Sequence, residues 1–437
     1  MVYTTIKSIL NEGILEDFMK RKGLKTASFI MAIMLVLSVL TFTGCTLSFD
    51  GSRDYITEEE LKNYINNHMP DNVQVEGGDN YNININNSSD SINLIAASKA
   101  LLSTVSVYCN FEKSSGKEYY TAGSGVIYKL DKEQGDAYII TNYHVVYDKE
   151  SNTRNGISSD INVFLYGQET GAYAIPATYV GGSMNYDIAV LRVESSRVLA
   201  ESNAMAARIV NSDNVSVLET AIAVGNPEME GISATAGHVN VDSEYLTITG
   251  ADGRTTVEMR VMRIDTPVNS GNSGGGLFNA EGDLIGIVNA KISHSSVDNI
   301  AYAIPSNIAK YVADNILYYC ADGSNESVYR CIVGITVEAA ESYTVYDTET
   351  GRVHKMESVA VKEITAGSAS VGRLEKGDII NSITIDGATY KVTRLYNVVD
   401  SMLNARVGSM VSVNVIRDGK TIDVTLDITE ATLKKSV

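Results

Sequence analysis

The chain has 437 residues, enough for two or three domains, and 44% of them are hydrophobic, enough to fill sizeable cores. Its formal net charge of −18 leaves no basic face for nucleic acid and suits a body kept dispersed by self-repulsion. Four cysteines in so long a chain make no disulfide framework, no Cys/His cluster has metal spacing and no P-loop occurs, so no metal, nucleotide or other cofactor is expected.

Near the start, Lys20, Arg21, Lys22 and Lys25 precede an apolar run from Phe29 to Leu40, closed by Thr43, Gly44 and Cys45. Basic, then apolar, then small residues is the order of an export signal, and Met19 opens one of ordinary length. Residues 1–45 therefore read as a signal peptide or as an uncleaved membrane anchor, a span needing ~20 apolar residues. In either case the basic flank puts the remainder on the outer side of the membrane. The Gly44-Cys45 close resembles the lipobox of bacterial lipoproteins, with Phe42 where Leu is usual. That resemblance implies lipidation at Cys45 and a place in the bacterial cell envelope, on the outer face of the cytoplasmic membrane.

Residues 46–95 read as a stalk. Thr57 and Glu60 have the spacing of a capping box opening a short helix. The alternation from Tyr81 to Asn87 allows a short strand, while the Asn-, Asp- and Gly-rich composition after Pro70 favours a flexible spacer.

From residue 96 to 320 the pattern is short β-rich runs broken by Gly, Asn and Asp. One series covers 104–108, 124–128, 137–141, 161–165, 177–180 and 188–193; a second covers 215–218, 220–224, 232–241, 256–264, 284–290 and 300–303. Regular strands with turn signals predict a sandwich or barrel, and two series of about six predict two barrels. Pro305, Ser306 and Asn307 then open a helix with Ile308, Tyr311, Val312 and Ile316 on one face. A polar linker, 321–332, leads to a third unit over 333–430, with strands at 333–338, 359–364, 379–385, 410–417 and 421–427 and a helix over 392–404; 431–437 reads as a tail. Leu395, Val398, Val399, Met402 and Leu403 are expected on one face of that helix.

The chemistry concentrates in Asn269-Ser-Gly-Asn-Ser-Gly-Gly-Gly276. A serine hydroxyl is a poor nucleophile at neutral pH; it needs a base, and donors aimed at the oxyanion it creates. Glycines beside Ser273 let the N–H groups of Gly271 and Ser273, with Asn272 a further candidate, turn to one point. Of five histidines, only His144 ends a strand of the first barrel. Asp187, a lone acid before an apolar strand, is the candidate to orient it. A strand-end histidine and a turn aspartate are each commonplace, but His, Asp, Ser in that order across two barrels is the chymotrypsin arrangement.

The local sequences TNYHVV, NYDIAVL and NSGNSGGGLFN resemble those of the HtrA/DegP family of serine proteases, over roughly residues 96–320. The family usually has Pro where Ser270 and Gly276 stand; neither change removes a catalytic group. The resemblance implies a mostly β fold, a chymotrypsin-like double β-barrel followed by a small α+β domain. It implies acyl-enzyme hydrolysis of unfolded or damaged proteins, and trimers or larger assemblies. It also implies a substrate pocket around Pro267, Val268, Asn269, Ile287, Val288 and Asn289. With Pro267 six positions before Ser273, no acid is there to attract Lys or Arg, so small aliphatic residues before the cut are expected. The third unit resembles a PDZ domain. Val333, Gly334, Ile335 and Thr336 match its carboxylate loop and groove strand, and Val398 and Met402 lie on the facing helix. That implies capture of C-terminal peptides by strand addition, controlling the protease. The alternative is a catalytically silent peptide-binding, chaperone-like lipoprotein. Of the remaining cysteines, Cys320 and Cys331 flank the linker, which leaves a pairing between them open, and the reading favoured for them and Cys109 is small buried hydrophobes.

Overall fold

Apolar residues alternating along short runs become strands with one buried face, and twelve of them close into two barrels. The computed structural model describes residues 73–76, 82–85, 94–153, 155–168, 171–290, 300–320 and 327–436. The export segment, with Cys45, and the capping box at Thr57 lie outside the described residues. In the first of two units, β1 (Val73–Glu76) pairs antiparallel with β2 (Asn82–Ile85), so the alternation after Tyr81 forms a strand where the composition favoured a spacer.

The second unit begins with helix α1 (Leu94–Ser103), whose Ala100 is wholly buried. β3 (Thr104–Glu112), β4 (Glu118–Asp131), β5 (Asp136–Thr141), β6 (Asp160–Leu165), β7 (Ile175–Ser183) and β8 (Ile188–Val193) close in the order β3-β4-β5-β8-β7-β6. β9 (Thr220–Gly225), β10 (Ser233–Thr249), β11 (Thr256–Ile264), β12 (Gly276–Phe278), β13 (Leu284–Asn289) and β14 (Ala301–Pro305) close in the order β10-β11-β14-β13-β12-β9. The second series differs from expectation in one strand. Residues 215–218 form a turn, with Leu218 at φ +69° and exposed, and the sixth strand is β12, directly after the glycine-rich loop. A core joins the barrels: Val126, Ile140 and Val190 of the first share a cluster with Ile222, Val224 and Ile304 of the second. Helix α2 (Ser306–Cys320) seals it with Ile308, Val312 and Ile316, each contributing about 1.5–3 kcal/mol of burial.

The third domain is a sheet ordered β16 (Ile335–Asp347), β17 (Arg352–Ile364), β18 (Ile379–Ile385), β20 (Met410–Arg417), β21 (Lys420–Asp427), with β19 (Ala388–Lys391) beside β18 and helix α3 (Leu395–Ser401) packed on it. β16 is an edge strand, and its hairpin with β17 runs well beyond the two short strands expected. The expected linker and tail are not free: β15 (Val328–Cys331) pairs with β22 (Leu433–Ser436). Asn315 of α2, wholly buried, joins the domains. Its amide donates to the carbonyls of Tyr329 (2.7 Å) and Leu403 (2.9 Å), and its oxygen accepts the Tyr329 N–H (3.0 Å). Cys109, Cys320 and Cys331 are buried free thiols; burial pushes Cys109 up to about 12, so it stays protonated.

Candidate active site

His144 sits in a single helical turn, Tyr143–Val146, immediately after β5, anchored by buried Val145 and Val146. Asp187 occupies the tight β7–β8 turn at φ +48°, a conformation that aspartate tolerates. Its side chain is 8% exposed, and its carboxylate meets three donors. Oδ1 accepts the His144 N–H (3.0 Å), while Oδ2 faces His144 Nδ1 (2.7 Å) and accepts Nδ2 of Asn289 (2.7 Å). A buried carboxylate needs that many partners. An ionised Oδ2 requires the proton on Nδ1, which leaves the Nε2 lone pair as the base. Asn142, wholly buried, braces the same turn by donating to the Asp187 carbonyl (2.8 Å).

Ser273 lies in the loop between β11 and β12, at the seam of the barrels. Ser124 of β4 reaches across that seam. Its N–H donates to the Ser273 carbonyl (2.8 Å), and its hydroxyl donates to the Gly271 carbonyl (2.7 Å) while accepting the Asn226 N–H (2.8 Å). Two glycines are sterically required. Gly271 has φ +96° with Asn226 O only 2.2 Å from where a Cβ would stand, and Gly274 has φ +85° with Ser124 O at 2.2 Å.

The loop's peptide groups are oriented. The Ser270 carbonyl accepts the Glu228 N–H (2.9 Å). In a trans peptide the C=O and N–H point oppositely, so the Gly271 N–H faces away from Glu228. Among the described residues, neither the Gly271 nor the Ser273 N–H has a protein partner. Asn272, expected as a third oxyanion donor, is corrected: its N–H is spent on the Asn269 carbonyl (3.1 Å). The Ser273 hydroxyl accepts the Ala290 N–H (3.2 Å), and among the described residues it makes no hydrogen bond to His144.

The expected pocket divides. Pro267 and Asn269 are exposed and Val268 half-buried, but Ile287, Val288 and Asn289 are wholly buried. Ile287 packs in the core between the barrels and Val288 in that of the second barrel, so neither lines an open cleft here. Asn289 is corrected from pocket lining to a partner of Asp187.

In the third domain, Val333 is buried and Gly334 has φ +78°, its carbonyl accepting the Thr365 N–H (2.8 Å). The N–H groups of both have no protein partner among the described residues. Ile335 and Thr336 begin edge strand β16, opposite Ile364 and Glu363. Val398 and Met402, expected to face the groove, are corrected: both are buried in the domain core. Leu395 and Val399, with Val337 of β16, line a cavity of about 760 Å³.

The family model for a trypsin-like peptidase domain matches residues 123–287, and that for a PDZ domain matches residues 332–428. The chain is 31% identical to Serine protease Do-like HtrA of Lactococcus lactis subsp. lactis (strain IL1403) over 336 residues, 74% of each chain. It is 29% identical to Serine protease Do-like HtrB of Bacillus subtilis (strain 168) over 389 residues, 84% of this chain and 76% of that one. This chain belongs to the HtrA family of serine proteases. It is a serine endopeptidase with a PDZ domain.

Three residues of this HtrA site carried no local mark in the sequence. Ser124 is 147 positions from Gly271, Asn289 is 102 from Asp187, and Asn142 is 45 from Asp187. The proximity of Asn142 to His144 was the one available hint.

The two domains also meet through charge. Arg260 of β11, 3% exposed at its side chain, pairs with Asp400 of α3 (2.8 Å) and lies 3.7 Å from Asp213. Its guanidinium stacks over the Tyr396 ring at 3.8 Å. Burial, with Asp213 nearby, outweighs Arg260 and pushes Asp400 up to about 6.

Proposed function

We propose that this HtrA-family endopeptidase is exported, held at the outer face of the bacterial cytoplasmic membrane, and cleaves unfolded or damaged proteins through an acyl-enzyme. His144 Nε2 takes the proton of the Ser273 hydroxyl as Oγ attacks the peptide carbonyl. Asp187 holds the ring tautomer and steadies the imidazolium. The N–H groups of Gly271 and Ser273 receive the oxyanion. His144 then protonates the leaving amine, and water repeats the sequence on the ester. The observation that carries this reading is the three-donor cradle of Asp187 on His144, beside a serine loop whose Ser270 carbonyl is turned toward Glu228. For attack, the Ser273 hydroxyl has to engage the imidazole, with the Ala290 N–H its partner at rest.

The N–H groups of Val333 and Gly334, without a protein partner among the described residues, and the edge position of β16 support a second role, capture of C-terminal peptides that adjust protease activity. Attachment through Cys45 and assembly as trimers or larger belong to the same proposal. Casein digestion by the purified chain tests it, with and without C-terminal peptides. Activity that disappears in Ser273→Ala supports the mechanism. Activity retained in Ser273→Ala refutes it, and a wild type inert under all conditions favours the silent peptide binder.

A further inference from the structure

The 760 Å³ cavity lies where the peptide groove faces the protease domain. One wall is the groove itself, Val337 of β16 with Leu395 and Val399 of α3; another is β11 with Tyr186, the neighbour of Asp187. A third wall comes from the short β15–β22 sheet, through Arg330, Lys434 and Lys435.

That third wall is charged in an unusual way. Arg330 and Lys434 are directly paired across the two strands, where like charges repel. Among the described residues none of the three cations has a carboxylate within salt-bridge distance. Arg260, the other cation of the cavity, is already matched by Asp400. Among the described lining residues the carboxylates are Glu258 and Asp400, and Asp400, already paired with Arg260, also feels Arg330, so the positive charges stay in excess. In a chain of net charge −18, such a concentration of unmatched cations is a local reversal of sign.

We infer that this cavity is an anion-selecting extension of the peptide groove, and that its ligand is a C-terminal peptide carrying acidic side chains beside an aliphatic last residue. The inference rests on the groove reading above. A strand added to the edge of β16 sends alternate side chains toward α3, where Leu395 and Val399 offer apolar contact. The intervening side chains point away from the helix, toward the cationic wall, and acids there relieve the repulsion between Arg330 and Lys434. The terminal carboxylate takes the unpaired N–H groups of Val333 and Gly334.

The test uses the full chain carrying Ser273→Ala, so that the probe is not cut, and fluorescence anisotropy of labelled hexapeptides ending in a free valine. One has glutamate at the second- and fourth-last positions; its match has glutamine there. A third is the acidic peptide amidated at its end, and inorganic phosphate is the competitor. The acidic peptide is expected to bind roughly five- to tenfold more tightly than the glutamine one, with the gap shrinking from ~50 mM to ~0.5 M salt. The double substitution Lys434→Gln, Lys435→Gln removes that preference while the glutamine peptide binds as before. Thermal unfolding of the double variant confirms that it is folded. Equal binding of the acidic and glutamine peptides, or a preference that survives the double substitution, overturns this inference and leaves the groove reading intact. Absence of binding by every peptide overturns both. Phosphate that binds and is displaced by no peptide overturns the peptide assignment.

Discussion

Ser124 gives the sharpest test of how the serine loop is held. Its side chain is wholly buried, and its hydroxyl bridges the Gly271 carbonyl and the Asn226 N–H. Ser124→Ala keeps the backbone bond to Ser273 and strips that bridge, leaving two buried main-chain groups unpaired at about 1–3 kcal/mol each. Turning the Gly271–Asn272 peptide toward a new partner relieves the cost, breaks the Asn272 N–H bond to the Asn269 carbonyl, and displaces the adjoining Ser273 N–H from the oxyanion position. Losing one such donor costs about 10²–10³ in kcat. The control stands directly across the strand pair. Ser106, also wholly buried, faces Ser124 from β3, and among the described residues its hydroxyl has no hydrogen-bond partner. Ser106→Ala deletes the same atom where nothing depends on it and is expected to be neutral or slightly stabilising. The assay is kcat on a chromogenic peptide, with thermal unfolding of both variants. A kcat for Ser124→Ala within about threefold of wild type, or equal losses in the two variants, would refute the proposal that the bridge orients the oxyanion donors.

Two further outcomes follow from packing and charge. Folded Asp400 has its pKa raised to about 6, above the ordinary ~3.9, so the native state binds the proton more readily and the contribution to stability is present at low pH and lost as pH rises through 6. Against Asp400→Asn, the wild type should lose at most about 3 kcal/mol between pH ~4 and ~6 in urea denaturation, and parallel curves would contradict this. Gly276→Pro restores the residue usual in the family, yet a Cβ at 276 stands 2.2 Å from the wholly buried Phe278 ring. A loss of about 1–3 kcal/mol is expected in the same assay, and an unchanged or raised midpoint would show that the ring gives way.

What the sequence made legible was local. Strand periodicity marked eleven of the barrels' twelve strands, and His144, Asp187 and Ser273 stood out because each sits at a strand end or in a glycine-rich loop. The twelfth, β12, has only three residues and hides behind those glycines. Partners were invisible where they come from another barrel: Ser124 looks like any strand serine until the barrels close on it. The face of α3 was misjudged because neighbouring valines differ by about 100° around a helix, so Val398 enters the core while Val399 turns to the cavity. Linker and tail read as loose because each contributes four residues to a sheet that exists only when both are present.

Asn315 has a consequence for how the molecule melts. One amide satisfies main-chain groups from the strand entering the PDZ domain and from the end of its helix, while Leu403 of that domain inserts into the apolar cluster between the barrels. Protease and PDZ parts thereby share a keystone instead of a swivel. Heat should dismantle them together, in one calorimetric transition, and neither half would survive long as a stable remnant of the other.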